Sequence, residues 1–170
     1  MIRAFRDWFL DQLAMYAAYH TNRRNQLTHY VGVPIIIFSI LIVLIQIPMG
    51  GPLSAATVLL GILLGSYLVA VPLVGVLSLV ACVPIYLLAA GAAAMDTTPR
   101  WTLAIGCFAA GWVIQFVGHI FEGRKPAFLS NILQLFMAPA FLVAEAMFAA
   151  GLQRRLADIL QVRAQKYART

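Results

Sequence analysis

Charged side chains are spread very unevenly along the chain. No Asp, Glu, Lys or Arg occurs in residues 25–95, 101–121 or 126–144, and these runs are dominated by Leu, Ile, Val, Ala and Phe. A helix that crosses a bilayer needs about 20 apolar residues, so the runs hold four to five spans. Turn signals divide them. Pro48-Met49-Gly50-Gly51-Pro52 closes a first span over 31–47. A second is expected over 53–70, a third over 73–94 with Pro72 at the junction, and a fourth over 101–119. After Glu122-Gly123-Arg124-Lys125-Pro126, a fifth apolar segment covers 129–150. The expected fold is all-α: a polytopic membrane helical bundle of four to five spans with amphipathic terminal helices, residues 1–170 forming a single integral membrane domain.

The two ends read differently. Residues 3–20 set Phe5, Trp8, Phe9, Leu13 and Tyr16 against Arg3, Arg6, Asp7 and Asp11 at helical spacing. That pattern suits a helix lying in the interface with its aromatic face in the lipid boundary. Charges this early also argue against a cleavable signal peptide. The polar stretch Thr21-Asn22-Arg23-Arg24-Asn25 breaks the helix, and a new one is expected from near Asn25 through His29, with Gly32 and Pro34 as kink positions. Gln153–Thr170 reads as a second surface helix. Asn25 and Asn131 read as helix caps, and the Gly and Ala residues of spans two and three as close-packing positions.

Composition sharpens the class. Apolar residues make up 62% and charged residues 11% of the chain, with a mean hydropathy of +0.88. Soluble domains carry about 45–50% and about 25%, so soluble enzyme folds, coiled coils and nucleic-acid modules are excluded. The net charge of +6 resides at the ends of apolar runs, where membrane topology and anionic headgroups account for it without nucleic acid. With the N-terminus in the cytoplasm, four spans place Arg124-Lys125 and the basic tail on the same side. A fifth full crossing would put the tail outside. Because 129–150 holds Gln134, Pro139 and Glu145, it reads as re-entrant or shielded within the bundle. Cys82 and Cys107 lack CxxC spacing and read as buried thiols.

The three histidines, His20, His29 and His119, all fall near one membrane face in the four-span reading. On an unbroken helix a separation of nine residues turns through about 900°, to opposite faces, so the break at 21–25 is what lets His20 and His29 share a site. Gln115, His119 and Glu122 follow i, i+4, i+7 spacing on one helical face, and an i, i+3 carboxylate–imidazole pair can hold a metal in a bundle. Three imidazoles with a carboxylate suit Fe(II), Zn(II) or Mn(II). The plainer alternative for each histidine is a hydrogen-bonded or snorkelling interfacial side chain. Glu145, an acid within an apolar segment, is a functional candidate by default. It would orient an imidazole N–H or else pair with the tail. Arg23, Arg24, Arg124 and Lys125 bracket this face, either as topogenic charges or as the seat of an amphiphile's acidic head.

Some chemistry is excluded: there is no G-x-S-x-G, and Ser39, Ser54, Ser66 and Ser78 lie away from the histidines. Three strings resemble a known family. They are Tyr19-His20 with Asn25, His29, Gly32 and Pro34; Gln115-Phe116-x-Gly118-His119-x-Phe121-Glu122-Gly123-Arg124-x-Pro126-Ala127; and Ala138-Pro139-x-Phe141 followed by Glu145. Together they are similar to the small membrane 2-hydroxy fatty acid dioxygenases, over most of the chain except spans two and three. The resemblance implies an Fe(II)-dependent α-oxidation, in which a 2-hydroxy fatty acid and O2 give an acid one carbon shorter. It implies His20, His29 and His119 as Fe(2+) ligands, Glu122 as ligand or base, and Arg24 or Arg124 as partner of the substrate carboxylate. The lipid bilayer hosting it would be a bacterial inner membrane or the endoplasmic reticulum. The competing expectations are a non-enzymatic small transporter or lipid-binding scaffold, and a zinc-dependent lipid hydrolase with a three-histidine site.

Overall fold

The structure, a computed structural model, describes residues 1–167 and is almost wholly helical. The end of the expected tail helix, residues 168–170, lies outside the described residues. The elements are α1 (Ile2–Ala18), α2 (Arg23–Ile45), a short hairpin of β1 (Pro48–Gly50) and β2 (Leu53–Ser54), α3 (Ala55–Ala70), α4 (Pro72–Ala93), α5 (Thr97–Glu122), a 3-10 turn (Ala127–Leu129), α6 (Gln134–Ala149) and α7 (Arg154–Ala164). Local chemistry sets their limits. Asn22 caps α2 by accepting the Arg24 N–H at 2.9 Å. Ser54 and Thr57 form a reciprocal capping box at the start of α3. Pro72 sits at the first turn of α4, where its missing N–H costs nothing. α5 ends at Gly123 with φ 68, a left-handed conformation that favours glycine.

Helix directions follow from contacts at the two ends. The Gln46 side chain donates to Ala93 O at 3.0 Å, and Arg100 donates to Gln46 Oε1 at 2.7 Å, so the end of α2, the end of α4 and the start of α5 lie together. At the opposite end, the Phe9 ring of α1 meets Tyr67 near the end of α3, centroids 5.7 Å apart. The Tyr67 hydroxyl bonds Phe136 O. α2, α3, α4 and α5 therefore alternate in direction, and α1 and α7 share one end. Three helices, α2, α4 and α5, are long and apolar enough to cross a membrane. α3 and α6 have 16 residues each, which at about 1.5 Å per residue falls short of the roughly 30 Å hydrocarbon core. The hairpin and the extended Val71 consume the residues that a longer α3 would need.

Several expectations change or sharpen. Most of the aromatic face of α1 is turned inward: Phe9 and Leu13 are 0% exposed and Tyr16 is 5% exposed, because α3, α6 and α7 pack over it, while Trp8 stays exposed. Asn25 is not the cap of α2, which starts earlier at Asn22; Asn25 is fully buried against α5. The tail helix lies on the surface, as expected, and is pinned to α1, with Arg163 paired to Asp7 at 2.9 Å and Asp11 at 3.0 Å. In spans two and three the alanines pack closely as expected, with Ala56, Ala70 and Ala89 0% exposed, but among the glycines Gly61, Gly65 and Gly91 face open space and Gly75 alone is tight, against the Leu68 backbone. The close glycines lie instead where α2 crosses α5. A Cβ on Gly111 would meet Ile36 at 2.6 Å, and one on Gly118 would meet Asn25 Oδ1 at 2.5 Å and the Thr28 side chain. That crossing positions two of the three histidines. Cys82 is buried, as expected, whereas Cys107 is half-buried.

Candidate metal centre

His20 lies in the turn between α1 and α2, His29 in the second turn of α2, and His119 in the last turn of α5. All three are buried, with exposures of 3%, 4% and 8%. One ring nitrogen from each lies within 4.8 Å of the others. Ring centroids are 4.5 Å apart for His20–His29 and 5.2 Å for each pair with His119. The break does what the spacing demanded, though it falls at 19–22 rather than 21–25: it turns the chain so that His20 faces His29.

The tautomers follow from the backbone. His20 Nδ1 donates to Tyr16 O at 2.8 Å, and His29 Nδ1 donates to Asn25 O at 2.8 Å. A carbonyl oxygen only accepts, so each neutral ring carries its proton on Nδ1 and has a bare Nε2. Those two Nε2 atoms face each other at 3.1 Å. Two lone pairs at this distance repel unless a proton or a metal cation lies with them. Burial, then the neighbouring His29, holds the His20 pKa well below its ordinary value, which disfavours the proton. Two nitrogens on one cation at about 2.1 Å lie about 3.0–3.4 Å apart. Imidazoles whose outer N–H is held by a carbonyl are also the usual form of metal-binding histidine. The donor set is thus compatible with a divalent transition metal.

The other candidates are distributed around this cluster. Glu122 is drawn away from the imidazoles and clamps the α1–α2 turn. Its Oε1 accepts from Thr21 N at 2.9 Å and Thr21 Oγ1 at 2.6 Å, and its Oε2 accepts from Asn22 N at 2.9 Å and Asn25 Nδ2 at 3.0 Å. Four donors occupy both oxygens, which favours its charged form. Arg124 lies over the Tyr19 ring, 4.4 Å from the centroid, and donates to Ala18 O at 2.9 Å. Arg24 is exposed, 5.4 Å above the Phe121 ring. Neither arginine lines the cavity described below, because each is held on the outer side of the turn. Glu145 is half-buried and lines a second, more open cavity with His20, Thr21 and Gln26.

The sequence reading missed Tyr16, whose ring stacks on His20 with centroids 3.9 Å apart, and the bracing role of Asn25. Both precede a histidine by four residues, the spacing at which a helical side chain reaches back to a carbonyl. A cavity of about 330 Å³ opens from the three histidines. Its remaining walls are almost wholly apolar, including Ile37, Leu41, Leu60, Trp112 and Phe136. From His29 to Leu41 it follows α2 for twelve residues, or about 18 Å. A long, dry channel ending at clustered imidazoles suits an acyl chain whose polar head sits at a metal.

Two comparisons with known proteins give matches. The family described as "2-hydroxy-palmitic acid dioxygenase Mpo1-like" matches residues 7–150. The chain is 34% identical over 155 residues to the 2-hydroxy-palmitic acid dioxygenase MPO1 of Saccharomyces cerevisiae, covering 89% of this chain and 86% of the yeast protein. No solved structure shows significant similarity.

Proposed function

This chain belongs to the Mpo1-like family of 2-hydroxy-palmitic acid dioxygenases, and from that premise we propose that it is an Fe(II)-dependent membrane enzyme catalysing α-oxidation of 2-hydroxy fatty acids. The observation that carries the reading is the convergence of three buried imidazoles at the end of an apolar channel. The overall change balances without a further reductant: the 2-hydroxy acid gives up C1 as CO2, its C2 becomes the new carboxyl, and O2 is reduced to supply the added oxygen and one water. The membrane is a bacterial inner membrane or the endoplasmic reticulum.

His20, His29 and His119 would hold the ion. Iron there would supply the redox chemistry that lets O2 react with a closed-shell acid. The protein does the rest. Tyr16 O and Asn25 O fix the two Nδ1 protons, so His20 and His29 present bare Nε2 atoms without rearrangement. Glu122 and Arg124 hold the turn that carries His20. The channel walls take the chain and exclude water, which fixes C1 and C2 at the imidazole end. Glu145, which lines the second cavity together with His20, would exchange protons with the site.

Detergent-purified protein loaded with Fe(II) and given 2-hydroxypalmitic acid should form the acid one carbon shorter only when O2 is present, read by mass spectrometry. Replacing His20, His29 or His119 by Ala should abolish bound metal and product together. Turnover that persists without O2 would favour a zinc hydrolase. Absence of both metal and product would favour a non-enzymatic lipid-binding role.

A further inference from the structure

The histidines lie at the charged end of the bundle, near Arg24, Glu122 and Arg124, and the apolar cavity runs from them into the helices. Its wall is uneven. On one side it is backed by α3 and α4, through Leu60, Leu63 and Cys82. Elsewhere the side chains that line it also face outward: Ile40 of α2 is 38% exposed, and Leu135 and Phe136 at the start of α6 are each 39% exposed. There the wall is one side chain thick, and the cavity is not enclosed.

The segment that borders this thin side is unusual for a lipid-facing surface. From 123 to 133 the backbone is not α-helical, yet Leu129, Ile132 and Leu133 are exposed. Irregular backbone at membrane depth is tolerated where it is hidden in protein or borders a cavity. The segment is fastened at a few points. Ala127 is buried, and Asn131 Nδ2 donates to Gln12 Oε1 at 2.8 Å. Between them, the Phe128 ring meets Trp112 edge-on, centroids 5.1 Å apart, and both residues line the cavity. Trp112 stands seven residues before His119 on α5, about 10 Å further from the charged end.

A fatty acid in a bilayer keeps its carboxylate at the interface and its chain in the hydrocarbon. The cavity has the same sense, with the histidines at its charged end. A fatty acid can therefore reach them by sideways motion alone, without turning over and without exposing its chain to water. We infer that the edge between Trp112 and residues 128–136 is a lateral doorway for a fatty acid held in the adjoining leaflet, with the Phe128–Trp112 contact as its latch. The inference rests on the acyl-channel part of the proposed function and adds the surface by which the substrate arrives. The competing entrance is the second cavity, which is more polar and bordered by Thr21, Gln26, Gln161 and Gln165.

The test uses the full chain in phosphatidylcholine vesicles, loaded with Co(II), and a palmitate analogue carrying a diazirine near the end of its chain. Leu41 is 2% exposed and lines the cavity, so the probe reaches it from inside. After mixing, samples are flashed at set times and the Leu41 adduct is measured by mass spectrometry. Wild-type protein should form it, and 2-hydroxypalmitate should compete. In a chain with Cys82→Ala and Cys107→Ser, a reducible bis-methanethiosulfonate bridge between Trp112→Cys and Phe128→Cys should abolish the adduct, and reduction should restore it. Phe128→Ala in the otherwise native chain should form it about two- to ten-fold faster, the factor that an aromatic pair is worth. That variant decides the matter where the bridged protein does not fold. An adduct that forms at the same rate across the bridge, or in Phe128→Ala, overturns the doorway. So does loss of Co(II) from Phe128→Ala, which would make the segment a support of the histidines. Wild-type protein without a Leu41 adduct would instead remove the acyl channel from the proposed function, and the doorway with it.

Discussion

Replacing Glu122 with Gln exchanges one carboxylate oxygen for an NH2 group, in a place where every neighbour is a donor. The carboxylate accepts from Thr21 N, Thr21 Oγ1, Asn22 N and Asn25 Nδ2. Whichever way the amide is turned, one side keeps two of these bonds and the other presents N–H to donors. Hydrogen bonds to a charged group contribute about 1.5–3 kcal/mol each. Glu122 is only half-buried, so water replaces part of that, and about 1–1.5 kcal/mol per lost bond is the better figure. Two lost bonds give about 2–3 kcal/mol, which loosens the turn that aims His20. Metal binding would then have to reassemble the turn. At 1.4 kcal/mol per factor of ten, affinity should fall by about 30- to 100-fold, within the range for outer partners of ligating residues. The assay is an anaerobic titration with Co(II), whose absorption reports ligation, run beside His119→Ala. Affinity within about three-fold of wild type would refute the clamp, the accompanying bond count notwithstanding. Loss as complete as in His119→Ala would place the carboxylate on the metal itself.

Other substitutions probe separate links. Gly118→Ala drives a methyl into Thr28 and Asn25 Oδ1; it should cost about 1–3 kcal/mol, read as a lower Tm, and reduce metal occupancy by parting His29 from His119. Ile37→Trp narrows the channel eight residues beyond His29, or about 12 Å along α2. It should cut kcat/KM for 2-hydroxypalmitate by about ten-fold or more while sparing shorter 2-hydroxy acids, checked with a chain-length series. Arg163→Gln removes contacts with Asp7 and Asp11 whose side chains are 67% and 34% exposed; stability should fall by no more than about 1 kcal/mol, and less in high salt. Arg124→Gln should weaken Co(II) binding and leave the KM for substrate nearly unchanged, since the guanidinium holds Ala18 O and Tyr19 outside the channel. A change confined to KM would return it to the role of carboxylate partner.

The helices of this protein were readable because lipid removes choice. With no water to satisfy backbone groups, an uncharged run must be helical or be hidden, and the turns at 48–54, 71 and 123 fall where Pro, Gly and polar residues interrupt the runs. What the pattern could not give was the depth of each helix. Hydrophobicity is the same whether α3 faces lipid or protein, so its 16-residue length, set by a hairpin and by Val71, is invisible to it. The same blindness misplaced the aromatic face of α1. Phe9, Leu13 and Tyr16 are equally satisfied by lipid and by α3, α6 and α7, and only the fold decides between them.

The site divides in the same way. Three histidines at one end of a bundle could be read from topology, because a turn that breaks a helix is a local signal. The duties of the surrounding polar residues could not, because they depend on which neighbour arrives. Glu122 has the spacing of a ligand beside His119, yet the donors of the α1–α2 turn reach it first. Asn25 has the composition of a cap and instead joins α2 to α5 through Glu122. Gln115 shares the helical face of His119, and its amide nitrogen fills the space that a Cβ on Gly32 would need, 3.1 Å away. Glycine spacing thus governs the chemistry at a distance: it draws α2 onto α5 and sets two imidazoles against each other.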